Sequence, residues 1–156
     1  PEGTAHRRKK IQEPKYDLLM QSELELAVRY YETDQMGIVH HSNYVRYFEC
    51  GRSDMMQKNG LPIEVIEKEG VMLPVVSVEA RYKTPAKMGD TVRIVSRIEK
   101  VPMAKLEVLS EIYNQDGVLL CTGKVVLGFI DTVTRHPVRC PENLARIIAE
   151  NTPQNF

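Results

Sequence analysis

The residues best suited to chemistry lie close together in one polar stretch of the chain. Asp34, His40 and His41 precede Ser42 and Asn43. Serine and asparagine are favoured N-cap residues, so a helix is predicted to begin near His41 to Asn43. The first N–H groups of a helix lack intrahelical partners and carry partial positive charge. A carboxylate beside them could activate a nucleophile while they bind the oxygen of a carbonyl group under attack.

These residues also have ordinary interpretations. A loop aspartate such as Asp34, close to Gly37, commonly accepts a hydrogen bond from its own turn. Glu49, about two turns further along the predicted helix, could form a salt bridge or cap a neighbouring element. A metal site at His40, His41 and Asp34 is disfavoured, because adjacent histidines project to different sides and no HxxxH or HExxH spacing is present. We predict no metal ion and no cofactor.

The predicted helix must position this stretch. Tyr44, Phe48, Gly51 and Met55 recur at helical spacing and define one apolar face. Gly51 lies on that face, and a glycine inside a helix is usually kept where another element approaches the backbone closely. We therefore expect a sheet to pack against this face of the helix.

Residues 34–44, DQMGIVHHSNY, followed by Tyr47, Phe48, Glu49, Gly51 and Arg52, closely resemble the 4-hydroxybenzoyl-CoA thioesterase family of acyl-CoA hydrolases. The similarity extends more weakly over residues 22–131. It implies an α+β hotdog fold, in which an antiparallel sheet wraps around one long central helix. It also implies a homodimer or homotetramer with the active site between subunits.

The resemblance implies a role for each candidate residue. Asp34 occupies the family position whose carboxylate attacks the thioester carbonyl or activates water, and the helix-start N–H that polarises the carbonyl falls at His41. His40 could line the acyl pocket or orient water. Glu49 resembles the helix glutamate of a sister group of hotdog thioesterases. The candidate substrate-binding residues are Tyr30, Gly37, Asn43, Tyr44, Pro74 and, for the phosphates of CoA, Lys100 and Lys105.

The expected reaction is hydrolysis of an acyl-CoA thioester to a carboxylic acid and CoA. Pro102 and Met103 stand between Lys100 and Lys105, where further cations would be expected for a CoA carrier. An acyl group on acyl carrier protein therefore stays open as an alternative substrate. A non-catalytic acyl-binding hotdog module is a third possibility, because a fold does not fix a function. The complete 34–44 segment argues against it.

Composition narrows the remaining classes. A chain of 156 residues with 42% hydrophobic content supports one full core. Twenty-one basic residues balance 21 acidic ones, so no net field attracts nucleic acid or an anionic membrane, and neither is expected as a partner. The basic N-terminus lacks a hydrophobic signal segment, and the three cysteines show no CxxC spacing. We expect a cytoplasmic protein.

Alternating hydrophobicity predicts the sheet. Residues 22–31 place Leu24, Leu26, Val28 and Tyr30 on one face of a first strand. A short helix is predicted at 63–69, and further strands are predicted at 71–82, 92–98, 106–112 and 118–130, before a last helix at 141–149. We expect three segments: a flexible extension (1–20), the hotdog domain (21–140) and a C-terminal helix with its tail (141–156).

Overall fold

The computed structural model describes residues 19–151, so most of the predicted 1–20 extension and the end of the predicted tail lie outside the described residues. The elements follow one another along the chain as β1 (Met20–Ala27), α1 (Ser42–Lys58), α2 (Ile63–Lys68), β2 (Val71–Met72), β3 (Val75–Tyr82), β4 (Thr91–Ile98), β5 (Lys105–Tyr113), β6 (Leu119–Gly128), β7 (Ile130–Asp131) and α3 (Glu142–Glu150).

Five strands form one antiparallel sheet in the order β1-β4-β5-β6-β3, while β2 and β7 pair separately. Helix α1 packs on one face of the large sheet, as its apolar stripe predicts, and its buried side chains include Tyr47, Phe48 and Met55. Helix α3 adds Leu144 and Ile148 to the same core. Strand β6 lies inside the sheet, in agreement with its long apolar run. No helix between residues 19 and 151 combines the length and apolar character needed to cross a membrane.

A row of small residues lets α1 approach the sheet. Across the five strands, in their spatial order, the row consists of Ser22, Ser96, Ser110, Gly123 and Ala80. A Cβ atom on Gly51 would lie 2.5 Å from the Ser96 hydroxyl oxygen, and one on Gly123 would collide with the Phe48 ring. The close approach that Gly51 predicts is therefore confirmed. The three serine hydroxyls find no hydrogen-bond partner among the described residues, so these serines act by their small size.

Two strand predictions are wrong. The first strand ends at Ala27 rather than at residue 31, and Tyr30–Glu32 forms a short 3₁₀ helix on which Tyr30 is 80% exposed. The predicted strand 71–82 is broken in two, because the chain leaves the small sheet after Met72 and joins the large one at Val75. Pro74 lies in the break, and as a proline it has no N–H to donate to a hydrogen bond between strands.

Candidate active site

Asp34 lies in a tight turn just before α1. Its N–H donates to the Ile38 carbonyl at 2.9 Å, and its own carbonyl accepts the Gly37 N–H at 3.0 Å, with Gly37 at φ 74°. The carboxylate Oδ1 accepts the Met36 N–H at 2.8 Å, so the ordinary turn interpretation is correct for one oxygen. Within the described chain Oδ2 has no hydrogen-bond partner. One carboxylate oxygen thus fixes the turn and the other is available.

Helix α1 begins within the predicted range, at Ser42, but neither Ser42 nor Asn43 is its N-cap. Ser42 and Asn43 lie inside the helix, and the N-cap position is occupied by His41. The capping acceptor is instead the His40 ring, because its Nδ1 lies 3.2 Å from the Ser42 N–H and 2.8 Å from the Ser42 hydroxyl. No acceptor among residues 19–151 takes the N–H of His41. This N–H is therefore the one at the helix start that a substrate oxygen can use.

Asp34 and His41 line the same cavity, which has a volume of about 330 Å³ and mostly apolar walls. Tyr44 forms part of its floor and is held there, since its hydroxyl accepts the Ala86 N–H at 3.0 Å. Burial raises the pKa of the Tyr44 phenol. The Tyr82 ring meets Tyr44 edge-on at 5.3 Å, and its hydroxyl donates to the His41 carbonyl at 3.3 Å. The remaining lining residues are Met36, Ile38, Val39, Lys83, Thr84 and Pro85.

Several predicted substrate-binding residues do not reach this cavity. Asn43 is buried behind it and donates from Nδ2 to the Glu32 carbonyl at 2.9 Å. Tyr30 points into solvent from the 3₁₀ helix. Pro74 lies at the other end of β3, where its carbonyl accepts the Gly128 N–H. Of the predicted substrate-binding residues, only Gly37 and Tyr44 belong to the Asp34 site. Tyr44 lines the cavity, and Gly37 shapes the turn that carries Asp34.

Lys100 and Lys105 lie together, but far along the sheet from Asp34. Both line a shallow depression of about 470 Å³, next to Val76 and Val126. Lys100 is largely exposed, with its Nζ 3.8 Å from a Glu107 carboxylate oxygen. Within one chain, these lysines and the Asp34 cavity are separate.

Glu49 also lies apart from Asp34. It lines a different cavity of about 290 Å³ together with Arg52, Met55 and Val75. The predicted salt bridge is wrong, since no basic group in the described part of the chain lies within ion-pair distance of Glu49. Burial lowers the pKa of the Arg52 guanidinium. The two candidate carboxylates are thus not a pair within one chain.

Sequence reasoning missed Tyr82, which lines the Asp34 cavity, and a buried carboxylate behind it. Glu32, only 5% exposed, lies behind the Asp34 turn and accepts the hydroxyl of Tyr47 at 3.1 Å. The sequence indicated such an acceptor through Tyr47, because a phenol on the apolar face of a helix needs a hydrogen-bond acceptor when it is buried. Between residues 19 and 151 no three His, Cys, Asp or Glu side chains are grouped as a metal site would require.

Comparison with known proteins identifies the family to which this chain belongs. Residues 28–148 match the family described as the thioesterase-like superfamily. The chain belongs to the thioesterase-like superfamily. A Bacillus subtilis member, named as a candidate acyl-CoA thioesterase YneP, is 41% identical over 98 residues, covering 63% of this chain and 71% of that protein. The acyl-acyl carrier protein thioesterase ATL3 of Arabidopsis thaliana is 28% identical over 125 residues, covering 78% of this chain and 64% of that protein.

A solved thioesterase structure gives the same result in three dimensions. The DHNA-CoA thioesterase of Staphylococcus aureus superposes with a TM-score of 0.73 at 34% identity, covering 76% of this chain and 80% of that one. The hotdog fold predicted from residues 34–44 is therefore confirmed, and so is the reaction class, hydrolysis of a thioester.

Proposed function

We propose that this chain hydrolyses acyl-CoA thioesters to a carboxylic acid and CoA, with Asp34 and the His41 N–H as its reacting groups. The observation that carries the proposal is that a carboxylate with one unbonded oxygen and a helix-start N–H with no acceptor line one apolar cavity. The names of the Bacillus and Staphylococcus relatives support CoA as the carrier.

The chemistry follows from charge development. The thioester carbonyl oxygen accepts the His41 N–H and becomes negative as a nucleophile adds to the carbonyl carbon. A preorganised N–H donor in such a site contributes about 3 kcal/mol to the stability of the oxyanion. Asp34 accepts a proton from water as the hydroxide adds, and the intermediate collapses by breaking the C–S bond. The thiolate then takes the proton from Asp34.

A second route uses Asp34 as the nucleophile. Its free oxygen adds to the carbonyl carbon and the thiolate leaves. Water then hydrolyses the mixed anhydride to the carboxylic acid and the original carboxylate, and the remaining proton of that water goes to the thiolate. Both routes need the ionised carboxylate beside the His41 N–H, so the same residues serve either one.

The carrier is tested by a thiol-release assay on the full chain. One acyl group is presented on free CoA and on acyl carrier protein, over a series of chain lengths, with the Asp34→Asn variant beside the parent. We expect kcat/KM to be at least about tenfold higher on CoA, a difference of about 1.4 kcal/mol in transition-state stabilisation. A preference of the same size for acyl carrier protein would favour hydrolysis of acyl groups on that carrier, the reaction that the name of ATL3 states.

We further propose that the active unit is a homodimer formed through the β3 edge. Strand β3 has a neighbour only on its β6 side, and it exposes apolar side chains, with Val75 49% exposed and Val76 53% exposed. An exposed apolar edge strand is prone to pair with another chain. The opposite edge, β1, instead carries Glu23 and Glu25. A second copy on β3 would also cover the Asp34 cavity, which is lined by Tyr82 and the residues that follow it.

Such a dimer would bring separate groups together. Two β3 edges related by a two-fold axis, with α1 on the same face of both sheets, run antiparallel. The Val75 end of one strand then lies beside the Tyr82 end of the other. The Glu49 cavity includes Val75, and Lys105 pairs with Gly128 near the same end. Glu49 and Lys105 of the partner subunit would thus come close to the Asp34 cavity, where their predicted roles require them.

The edge is tested by Val78→Lys, which places a charge in the middle of β3. Light scattering should give twice 17.8 kDa for the parent and the single mass for the variant. The matched control is Ala27→Lys on the opposite edge strand, which should keep the parent mass. A Val78→Lys protein that keeps its circular dichroism spectrum and still dimerises would exclude this edge as the interface.

A further inference from the structure

A buried polar cluster behind the Asp34 turn is centred on Glu32. Its Oε1 accepts two hydrogen bonds, one from the Arg29 N–H at 2.7 Å and one from the Tyr47 hydroxyl at 3.1 Å. The Arg29 guanidinium lies 3.9 Å from Oε2. Tyr47 is only 1% exposed, and burial raises the pKa of its phenol above the usual value. The phenol therefore stays protonated and donates its hydrogen to the Glu32 side chain.

The backbone of Glu32 makes two further contacts with the same region. Its carbonyl oxygen accepts the Asn43 side-chain N–H at 2.9 Å and the His40 backbone N–H at 2.9 Å. Glu32 thus contacts the residue before His41, the first turn of α1 through Asn43, and the second turn through Tyr47. Asp34 follows two residues later in the chain. One residue therefore connects the turn that carries Asp34 to the helix that carries the His41 N–H.

We propose that Glu32 is a positioning residue, and this proposal rests on the proposed function. Glu32 holds the Asp34 carboxylate and the His41 N–H at the separation that attack on a thioester requires. Rates depend steeply on such placement, because a misplacement of about 1 Å can cost about 100-fold. A buried carboxylate is costly unless its oxygens are bonded. Two hydrogen bonds to Oε1 and the Arg29 guanidinium beside Oε2 meet that condition. The two hydrogen bonds to the backbone carbonyl connect Glu32 to His40 and Asn43.

The test compares substitutions that remove side-chain hydrogen bonds of Glu32 with one that keeps them, while the backbone carbonyl keeps its bonds to His40 and Asn43 in every variant. Glu32→Ala and Tyr47→Phe should lower kcat by about 10- to 100-fold, with KM within about threefold of the parent value. Glu32→Gln keeps an oxygen acceptor for both donors and should retain kcat within about threefold. Ile148→Val, in the core under α3, is the stability control, and it should lower the melting temperature without changing kcat.

A second measurement does not depend on activity. Hydrogen exchange of the amides in residues 33–41 should be faster in Glu32→Ala and Tyr47→Phe than in the parent, and unchanged in Ile148→Val. If Asp34→Asn is inactive while Glu32→Ala and Tyr47→Phe keep the parent kcat, the positioning role is overturned and the proposed function stands. If the parent hydrolyses no thioester, the proposed function fails. In that case the hydrogen-exchange comparison is the remaining test. Exchange rates in Glu32→Ala and Tyr47→Phe that equal those of the parent overturn the positioning role.

Discussion

Asp34→Asn is expected to lower kcat for thioester hydrolysis by about 100- to 10,000-fold, the range over which a general base contributes. The amide keeps an oxygen that can accept the Met36 N–H, so the turn and the cavity should be preserved. What is lost is the negative charge that accepts the proton or attacks the carbonyl. Thiol release at saturating acyl-CoA measures the effect, and the melting temperature should stay close to that of the parent.

The matched control is Asp116→Asn in the hairpin loop between β5 and β6. It makes the same chemical change at an exposed position remote from the cavity, and it should leave kcat unchanged. Hydrolysis by Asp34→Asn at the parent rate would show that Asp34 is neither base nor nucleophile. The Glu49 carboxylate would then be the next one to test, because the proposed dimer would bring it toward the cavity.

The local features of this site were readable from the sequence because they depend on near neighbours. Asp34, Gly37 and the start of α1 lie within one short segment, and turn and helix chemistry act over a few residues. The apolar stripe of α1 and Gly51 predicted the helix-sheet contact, which the structure confirms. The N-cap prediction failed at the same place, because the His40 ring competes with the serine and asparagine side chains as the capping acceptor.

The features that escaped prediction depend on distant parts of the chain. Glu32 is buried because Tyr47, on a different element, supplies a donor to its carboxylate. Glu49 lies away from Asp34 because the lining of its cavity comes from β3, β5 and β6. Hydrophobic alternation gives the faces of a strand but not its neighbours. For this reason the exposed edge of β3, through which we propose that the dimer forms, became visible only in the assembled sheet.

The contact between α1 and the sheet has little tolerance for added volume. At Gly51 even a methyl group would meet the Ser96 hydroxyl oxygen at 2.5 Å and the Ile94 Cγ2 at 2.6 Å. The serine can rotate its hydroxyl away, but the branched Ile94 side chain is stiff at χ1. Overpacking of a dense core costs about 1–3 kcal/mol and occasionally more. A domain has about 5–15 kcal/mol of stability in total.

Gly51→Leu is therefore expected to unfold the protein, or to lower its melting temperature by about 6–12 °C, given about 3 kcal/mol for a large overpacking cost and about 2–4 °C for each kcal/mol in a domain of this size. Gln57→Leu is the matched control, because it adds leucine to an exposed position of the same helix and should shift the midpoint by only about 1–2 °C. Thermal unfolding followed by circular dichroism measures both. The clash, rather than helix propensity, governs the result, because leucine is a better helix former than glycine and would on its own stabilise α1. An unchanged midpoint for Gly51→Leu would mean that α1 can move off the row of small residues, and the fixed placement of the His41 N–H over the Asp34 cavity would lose its structural basis.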